Sequence, residues 1–115
     1  MLPSNDGDKR NKQRKSVDQH IKVTNTLQKV EIGSIVNLHE EGFMLIGDGQ
    51  IRENCLYQLS FNFSDAVDGC DSLCLGAECL WIKETDSGTQ YWSGFQIIDL
   101  SEKDKTTISK LIGAQ

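Results

Sequence analysis

The chain has 115 residues, of which 37% are hydrophobic and 25% charged, and its formal net charge is −5. This length and composition are typical of a single globular domain with an ordinary apolar core. The longest apolar runs, such as Phe43–Ile46, are far too short to cross a membrane, and polar residues follow Met1–Pro3 where a signal peptide would be apolar. We therefore expect a cytoplasmic protein with no membrane span.

The charge is distributed unevenly along the chain. Residues 1–15 contain five basic and two acidic side chains, a formal charge of +3, whereas the remainder carries −8. A body this acidic would repel a polyanion such as DNA, whose binding requires many neutralised phosphates. The pattern therefore excludes a nucleic-acid polymer as partner, but it allows a short basic arm to bind a small anion.

The first predicted element is a flexible basic arm over residues 1–16, followed by a single domain over residues 17–115. In the domain, His20–Thr24 alternates between polar and apolar residues, as a half-buried strand does. Val30–Val36 predicts a second strand that is broken by Gly33. Phe43–Ile46 predicts a short buried strand, closed by a turn at Gly47–Gly49.

The clearest strand is predicted at Leu56–Phe63, where apolar and polar residues alternate strictly. A polar loop is expected at Asp65–Asp71, and the next strand shows one apolar face (Leu73, Leu75, Ala77, Cys79 and Trp81). Ser87-Gly88 predicts a turn, and Tyr91–Leu100 a further strand. Short strands joined by tight turns favour an all-β fold, a six- or seven-stranded antiparallel β-barrel.

The end of the chain predicts a helix. Ser101 and Asp104 form an S-x-x-D pattern, in which the serine oxygen accepts the amide hydrogen of the residue three positions on. Ile108, Leu111 and Ile112 fall on one helical face, and Gly113 can end the helix. We therefore expect an amphipathic C-terminal α-helix packed on the barrel.

The four cysteines (Cys55, Cys70, Cys74 and Cys79) include no C-x-x-C pair, which argues against a zinc site. Cys74 and Cys79 lie an odd number of residues apart in one predicted strand, so they should face opposite sides. Reduced thiols that act as small hydrophobes are the simplest interpretation, and a disulfide involving Cys70 is an alternative. No metal is expected.

Two motifs occur in a fixed order. Arg10 and Arg14 have the spacing R-x-x-x-R, and the segment Asn37–Gly42 follows at the end of the second predicted strand. Together with the apolar strand behind them, they resemble the PilZ domain family, whose bacterial members bind cyclic di-GMP through R-x-x-x-R and D/N-x-S-x-x-G. The resemblance continues through Leu80-Trp81, Trp92–Ser101 and the terminal helix, and so covers nearly the whole chain. It implies a PilZ-like split barrel.

The resemblance also implies a set of ligand residues. Arg10 and Arg14, helped by Lys9 or Lys12, would hold phosphate and guanine, because guanidinium matches both groups with paired hydrogen bonds. Asn37 and Gly42 match the family positions, and the amide of Asn37 can donate to or accept from a guanine edge. His39 stands where the family usually has serine, so its imidazole either contacts the nucleotide or blocks the pocket. Glu40 and Glu41 add negative charge beside it.

The functional hypotheses fall into different classes. The first is a cyclic di-GMP receptor, an adaptor and not an enzyme, that relays binding to an unidentified protein partner by reordering its arm. The resemblance implies regulation of motility, biofilm or exopolysaccharide production, or virulence. The second is a PilZ-like protein-interaction module that no longer binds nucleotide, and an enzyme acting on a small anion is a third. A non-functional alternative for Arg10 and Arg14 is that they belong to a solvated tail that binds nothing. For Trp81 and Trp92 the corresponding alternative is packing in the core or rim of the barrel.

Overall fold

The computed structural model describes residues 19–48, 50–67 and 69–113. They form six strands followed by one helix. We number them β1 to β6 and α1 in chain order: β1 Ile21–Asn25, β2 Val30–Leu38, β3 Gly42–Gly47, β4 Leu56–Val67, β5 Cys70–Glu84, β6 Tyr91–Asp99 and α1 Glu102–Gly113. No helix in these ranges is long and apolar enough to cross a membrane.

The strands close into one antiparallel barrel in the order β1-β2-β3-β6-β5-β4, with β4 pairing back to β1. This confirms the predicted barrel with a C-terminal helix. Closure leaves every strand paired on both sides, which removes the sheet edges that would otherwise attract further strands. The long strands β4 and β5 form the largest hairpin, and Phe61 pairs with Leu73 within it.

Inward-facing residues of all six strands build the core. Leu59 and Phe61 of β4 are fully buried, as the strict alternation of that segment predicts. Phe43 stacks on Phe95 with ring centroids 5.0 Å apart, and it meets Phe61 edge-on at the same separation. These three rings join β3, β6 and β4 across the barrel, and such aromatic pairs add stability beyond the area they bury.

The antiparallel order gives the barrel two distinct ends. At the end that we call the helix end, β2 finishes at Leu38, β3 begins at Gly42 and β6 leads into α1. At the opposite end, which we call the loop end, lie the β1–β2 turn, the segment between Gly47 and Leu56, and the β5–β6 turn.

The helix begins as the sequence predicts. The Asp104 amide donates to Ser101 Oγ at 3.1 Å, which satisfies one free N–H of the first turn. Ile108 and Leu111 are buried in the barrel core, while Ile112 is half-buried against it. The amphipathic helix therefore covers the helix end of the barrel.

The structure differs from the sequence prediction in two places. Gly33 does not break β2, which is continuous, because the missing side chain lets β3 approach: a Cβ at Gly33 would lie 2.7 Å from the carbonyl oxygen of Ile46. The expected loop at residues 65–71 is also too long. β4 extends to Val67 and β5 begins at Cys70, so the hairpin turns within far fewer residues.

Candidate functional site

The segment between β2 and β3 forms a tight turn at the helix end. The His39 amide donates to the Gly42 carbonyl oxygen at 2.8 Å, and the Ile97 amide of β6 donates to the Glu41 carbonyl oxygen at 2.8 Å. A Cβ at Gly42 would lie 2.5 Å from the carbonyl oxygen of Phe95. Glycine at this position is therefore required by the contact of β3 with β6, whatever else the turn does.

Asn37 lies just before this turn on the outer side of the barrel. The register shifts between Ile35 and Asn37, so that Asn37 pairs with Met44. Its side-chain Nδ2 makes one weak contact, to Met44 Sδ at 3.9 Å, and its Oδ1 has no hydrogen-bond partner within the described ranges. The residue is half-buried, and its amide oxygen can still accept a hydrogen bond as far as these ranges show.

His39, Glu40 and Glu41 are exposed and line a shallow pocket of about 320 Å³ together with Ile112 of the helix. Glu40 Oε2 accepts from Ser109 Oγ at 3.4 Å. This contact directs the Glu40 carboxylate toward the helix.

The described chain begins at the same end of the barrel. Gln19 is bound to the far part of β4: its Oε1 accepts from the Asp65 amide at 2.8 Å, and its Nε2 donates to the Asp65 carbonyl oxygen at 2.9 Å. His20 Nε2 lies 3.3 Å from Ser34 Oγ of β2. Because Lys22 pairs with Ser34, the start of β1 lies beside the half of β2 that leads to Asn37.

The residues of the predicted arm, Lys9, Arg10 and Arg14 among them, lie outside the described residues. Asn37, His39 and Gly42 lie within six consecutive residues, at the end of β2 and the start of β3. Arg14 is five residues before Gln19, a length of chain that can span at most about 17 Å.

The sequence pattern predicts that Trp81 shares the apolar face of its strand with Cys79, and this prediction is wrong. The register shifts between Cys79 and Trp81, so that Trp81 pairs with Gly94 on the outside of the barrel and is 39% exposed. Its indole lies against Gly94, where a Cβ would overlap the ring. Met44 pairs with Gly94 from the other side, so an outer row runs from Asn37 through Met44 and Gly94 to Trp81. The sequence does not predict this row. Apolar residues continue at every second position up to Trp81, so the pattern gives no sign of the bulge between Cys79 and Trp81.

The four cysteines differ in how far they are exposed. Cys74 is exposed and Cys79 buried, on opposite faces as predicted, and the four thiols are free. Burial raises the pKa of the Cys79 thiol to about 11, which makes its thiolate scarce at neutral pH. Among the described residues, no three His, Cys, Asp or Glu side chains are grouped so that they could hold a metal ion.

Comparison with known families decides the classification. The model of the PilZ domain matches residues 8–114, which include both arginines and the turn at Asn37–Gly42. The chain belongs to the PilZ domain family. Among curated proteins, none matches the sequence.

Solved structures show the same fold at low sequence identity. The Bacillus subtilis inhibitor of motility (MotI/DgrA) aligns with a TM-score of 0.65 and 9% identity, over 87% of this chain and 46% of its own. The PilZ domain of YcgR from Escherichia coli, solved with c-di-GMP, aligns with a TM-score of 0.62 and 11% identity, over 84% of this chain and 81% of its own. The PilZ domain of CeSA from a cellulose-synthesising bacterium aligns with a TM-score of 0.56 and 13% identity, over 84% of this chain and 90% of its own. This PilZ domain thus spans about half the length of the B. subtilis protein.

Proposed function

We propose that this PilZ domain is a receptor for cyclic di-GMP that passes the signal to a partner protein. Family membership supports the ligand class, and the similar domain of YcgR was solved with that nucleotide. The observation that carries the proposal is the convergence at the helix end of the barrel. The side-chain amide of Asn37, the turn to Gly42 and the residues at which the described chain begins all lie there.

The ligand chemistry fits these groups. A cyclic dinucleotide offers two phosphates and two guanines, and guanidinium can bind either with two parallel hydrogen bonds. In the proposed complex Arg10 and Arg14, with Lys9 beside them, hold phosphate and guanine from one side. Asn37 and His39 form the facing wall on the barrel, where Gly42 lets the turn stay close to the strands.

The distances along the chain allow this closure. Gln19 anchors the chain at the helix end, and a five-residue segment of up to about 17 Å can carry Arg14 back toward Asn37. Ordering costs roughly 1–2 kcal/mol per backbone residue. Each charge-assisted hydrogen bond returns about 1.5–3 kcal/mol, so two arginines with several bonds can offset the ordering of a short segment.

The output proposed is that of an adaptor without catalysis. Binding fixes the arm and thereby changes the surface that the domain presents to a partner protein. A neighbouring fold belongs to an inhibitor of motility, which makes motility control one proposed output and biofilm regulation another. The sequence contains no nucleophile–base set that would favour an enzyme.

A second candidate function rests on one observation. His39 stands where the family pattern has serine, and two carboxylates, Glu40 and Glu41, follow it. A bulky ring next to negative charge would disfavour a dianionic ligand. In this alternative the domain binds only a protein partner and no nucleotide.

Calorimetric titration of the full chain with cyclic di-GMP, combined with NMR of the backbone amides, separates the two functions. The receptor account expects measurable heat, together with shifts at Asn37 and Gly42 that saturate. The linear dinucleotide pGpG serves as a control for general attraction of guanine nucleotides. Absence of heat and of shifts at high micromolar ligand would leave the protein-interaction module as the function.

A further inference from the structure

A second and larger concavity lies at the loop end of the barrel, far from the proposed nucleotide site. It has a volume of about 690 Å³, and its apolar walls are Ile51, Tyr57, Ile82 and Tyr91. A pocket of this size and lining is typical of a binding site and can take one or two side chains of a partner. Nothing in the proposed nucleotide site uses these residues.

Hydrogen bonds fix the segment that forms one wall of this pocket. The Arg52 amide donates to the Tyr57 hydroxyl at 2.8 Å, and the Ile82 amide donates to Glu53 Oε2 at 2.9 Å. The Asn54 amide donates to the carbonyl oxygen of Cys79 at 2.7 Å. These bonds tie residues 52–54 to β4 and β5, so this wall is preformed and needs little ordering when a partner binds.

Two large apolar side chains at the same end of the barrel face solvent. Leu27 in the β1–β2 turn is 79% exposed, and Leu56 at the start of β4 is 71% exposed. Asn25 Oδ1 accepts from the amides of Leu27 and Gln28, which holds the turn in place. These two leucines add exposed apolar area at the end of the barrel that holds the pocket.

The charges at the pocket indicate what such a partner carries. The Arg52 guanidinium is exposed and makes no hydrogen bond or ion pair with any residue in the described ranges. Asp48 also lines the pocket, but no ion pair joins it to Arg52. Glu53 is already engaged by the Ile82 amide. Arg52 is therefore available to a carboxylate, for which guanidinium is well shaped.

We propose that this loop-end pocket binds a segment of a partner protein that places an apolar side chain beside a carboxylate. The apolar group fills the space between Ile51, Ile82 and Tyr91, and the carboxylate pairs with Arg52. The site is separate from the nucleotide site, because β2 alone, from Val30 to Leu38, spans roughly 25 Å between the two ends. The proposal therefore stands whether or not the domain binds cyclic di-GMP.

The test uses N-acetyl-L-phenylalanine as the probe, which joins an aromatic group to a carboxylate, and its neutral amide as the matched control. Each is titrated into the ¹⁵N-labelled full chain at millimolar concentration. We expect shifts confined to the loop end, at Arg52, Tyr57, Ile82 and Tyr91, and binding of the acid about two- to fivefold tighter than the amide. Arg52→Gln should remove this preference, while Lys29→Gln, a charge change in the nearby turn, should keep it.

The proposal would be overturned by shifts that are absent or scattered over the surface, by equal binding of acid and amide to the native chain, or by a preference that survives Arg52→Gln. Binding to phosphatidylglycerol vesicles through the same residues, without any preference for the acid, would overturn it in favour of a membrane surface. The affinity of Arg52→Gln for cyclic di-GMP should equal that of the native chain, so failure here is distinguishable from failure of the nucleotide site.

Discussion

Gly42 and Phe95 pack backbone against backbone, with only 2.5 Å between the carbonyl oxygen of Phe95 and the place where a Cβ of residue 42 would stand. The last glycine of the turn motif therefore has a structural role that precedes any role in binding. The two roles must be separated before a loss of function at Gly42 is attributed to a ligand.

Gly42→Ala is expected to destabilise the barrel by about 1–3 kcal/mol, because the methyl group would force β3 away from β6. Urea unfolding followed by tryptophan fluorescence measures the change. Gly113→Ala is the control, since nothing lies within 4 Å of its added methyl group, and it should change stability by less than about 0.5 kcal/mol. Equal stability of Gly42→Ala and the native chain would show that the strands can separate freely.

Removing either arginine of the arm should lower the affinity for cyclic di-GMP. Arg10→Ala and Arg14→Ala should each weaken cyclic di-GMP binding by about tenfold or more, because each removes charge-assisted bonds worth about 1.5–3 kcal/mol. Lys29→Ala, which removes a positive charge from the loop end, serves as the control for net charge and should leave the affinity nearly unchanged. Added salt should also weaken binding. An Arg14→Ala chain that binds as tightly as the native chain would contradict the assignment of the arginines.

His39 decides between the two proposed functions. If the imidazole donates to a phosphate or stacks on a guanine, His39→Ala should bind the nucleotide about three- to thirtyfold more weakly, and His39→Ser should lose less because its hydroxyl can still donate. Calorimetry on the three chains gives the order of affinities. His39 is exposed, so the folded barrel should tolerate both changes. Tighter binding by His39→Ala would show that the ring blocks the site.

The buried thiol of Cys79 should make the stability of the fold depend on pH. Burial raises its pKa from 9.0 to about 11, so the thiol form is favoured in the folded state. The resulting stabilisation is fully present below pH 9 and is lost as the pH rises toward 11. At pH 8, a thiol reagent should label exposed Cys74 quickly and Cys79 only on unfolding, as mass spectrometry of the digested protein can show. Equal labelling rates in the folded chain would contradict the burial of Cys79.

Local patterns account for the parts of the fold that the sequence predicted. Strict alternation placed Leu59 and Phe61 inside the barrel, and the S-x-x-D pattern at Ser101 located the start of the helix. These features depend on a few neighbouring residues, whose chemistry is visible in the sequence.

The remaining features depend on contacts between distant segments. The bulge that moves Trp81 to the outer face is set by pairing with β6, and the continuity of β2 at Gly33 depends on the approach of β3. The loop-end pocket joins Ile51, Ile82 and Tyr91 from three parts of the chain. Arg52 gave no signal in the sequence because a single arginine between Ile51 and Glu53 belongs to no motif.

The most direct test of the central claim is an NMR titration that follows the arm and the barrel together. With the full chain labelled by ¹⁵N, cyclic di-GMP should shift the backbone amides of Arg10 and Arg14 and the side-chain NH₂ of Asn37 along one common binding curve. Such a curve would show that the arm and the helix end hold the same molecule. Shifts of Asn37 without any change in residues 10–14, or no change at either place, would contradict the account.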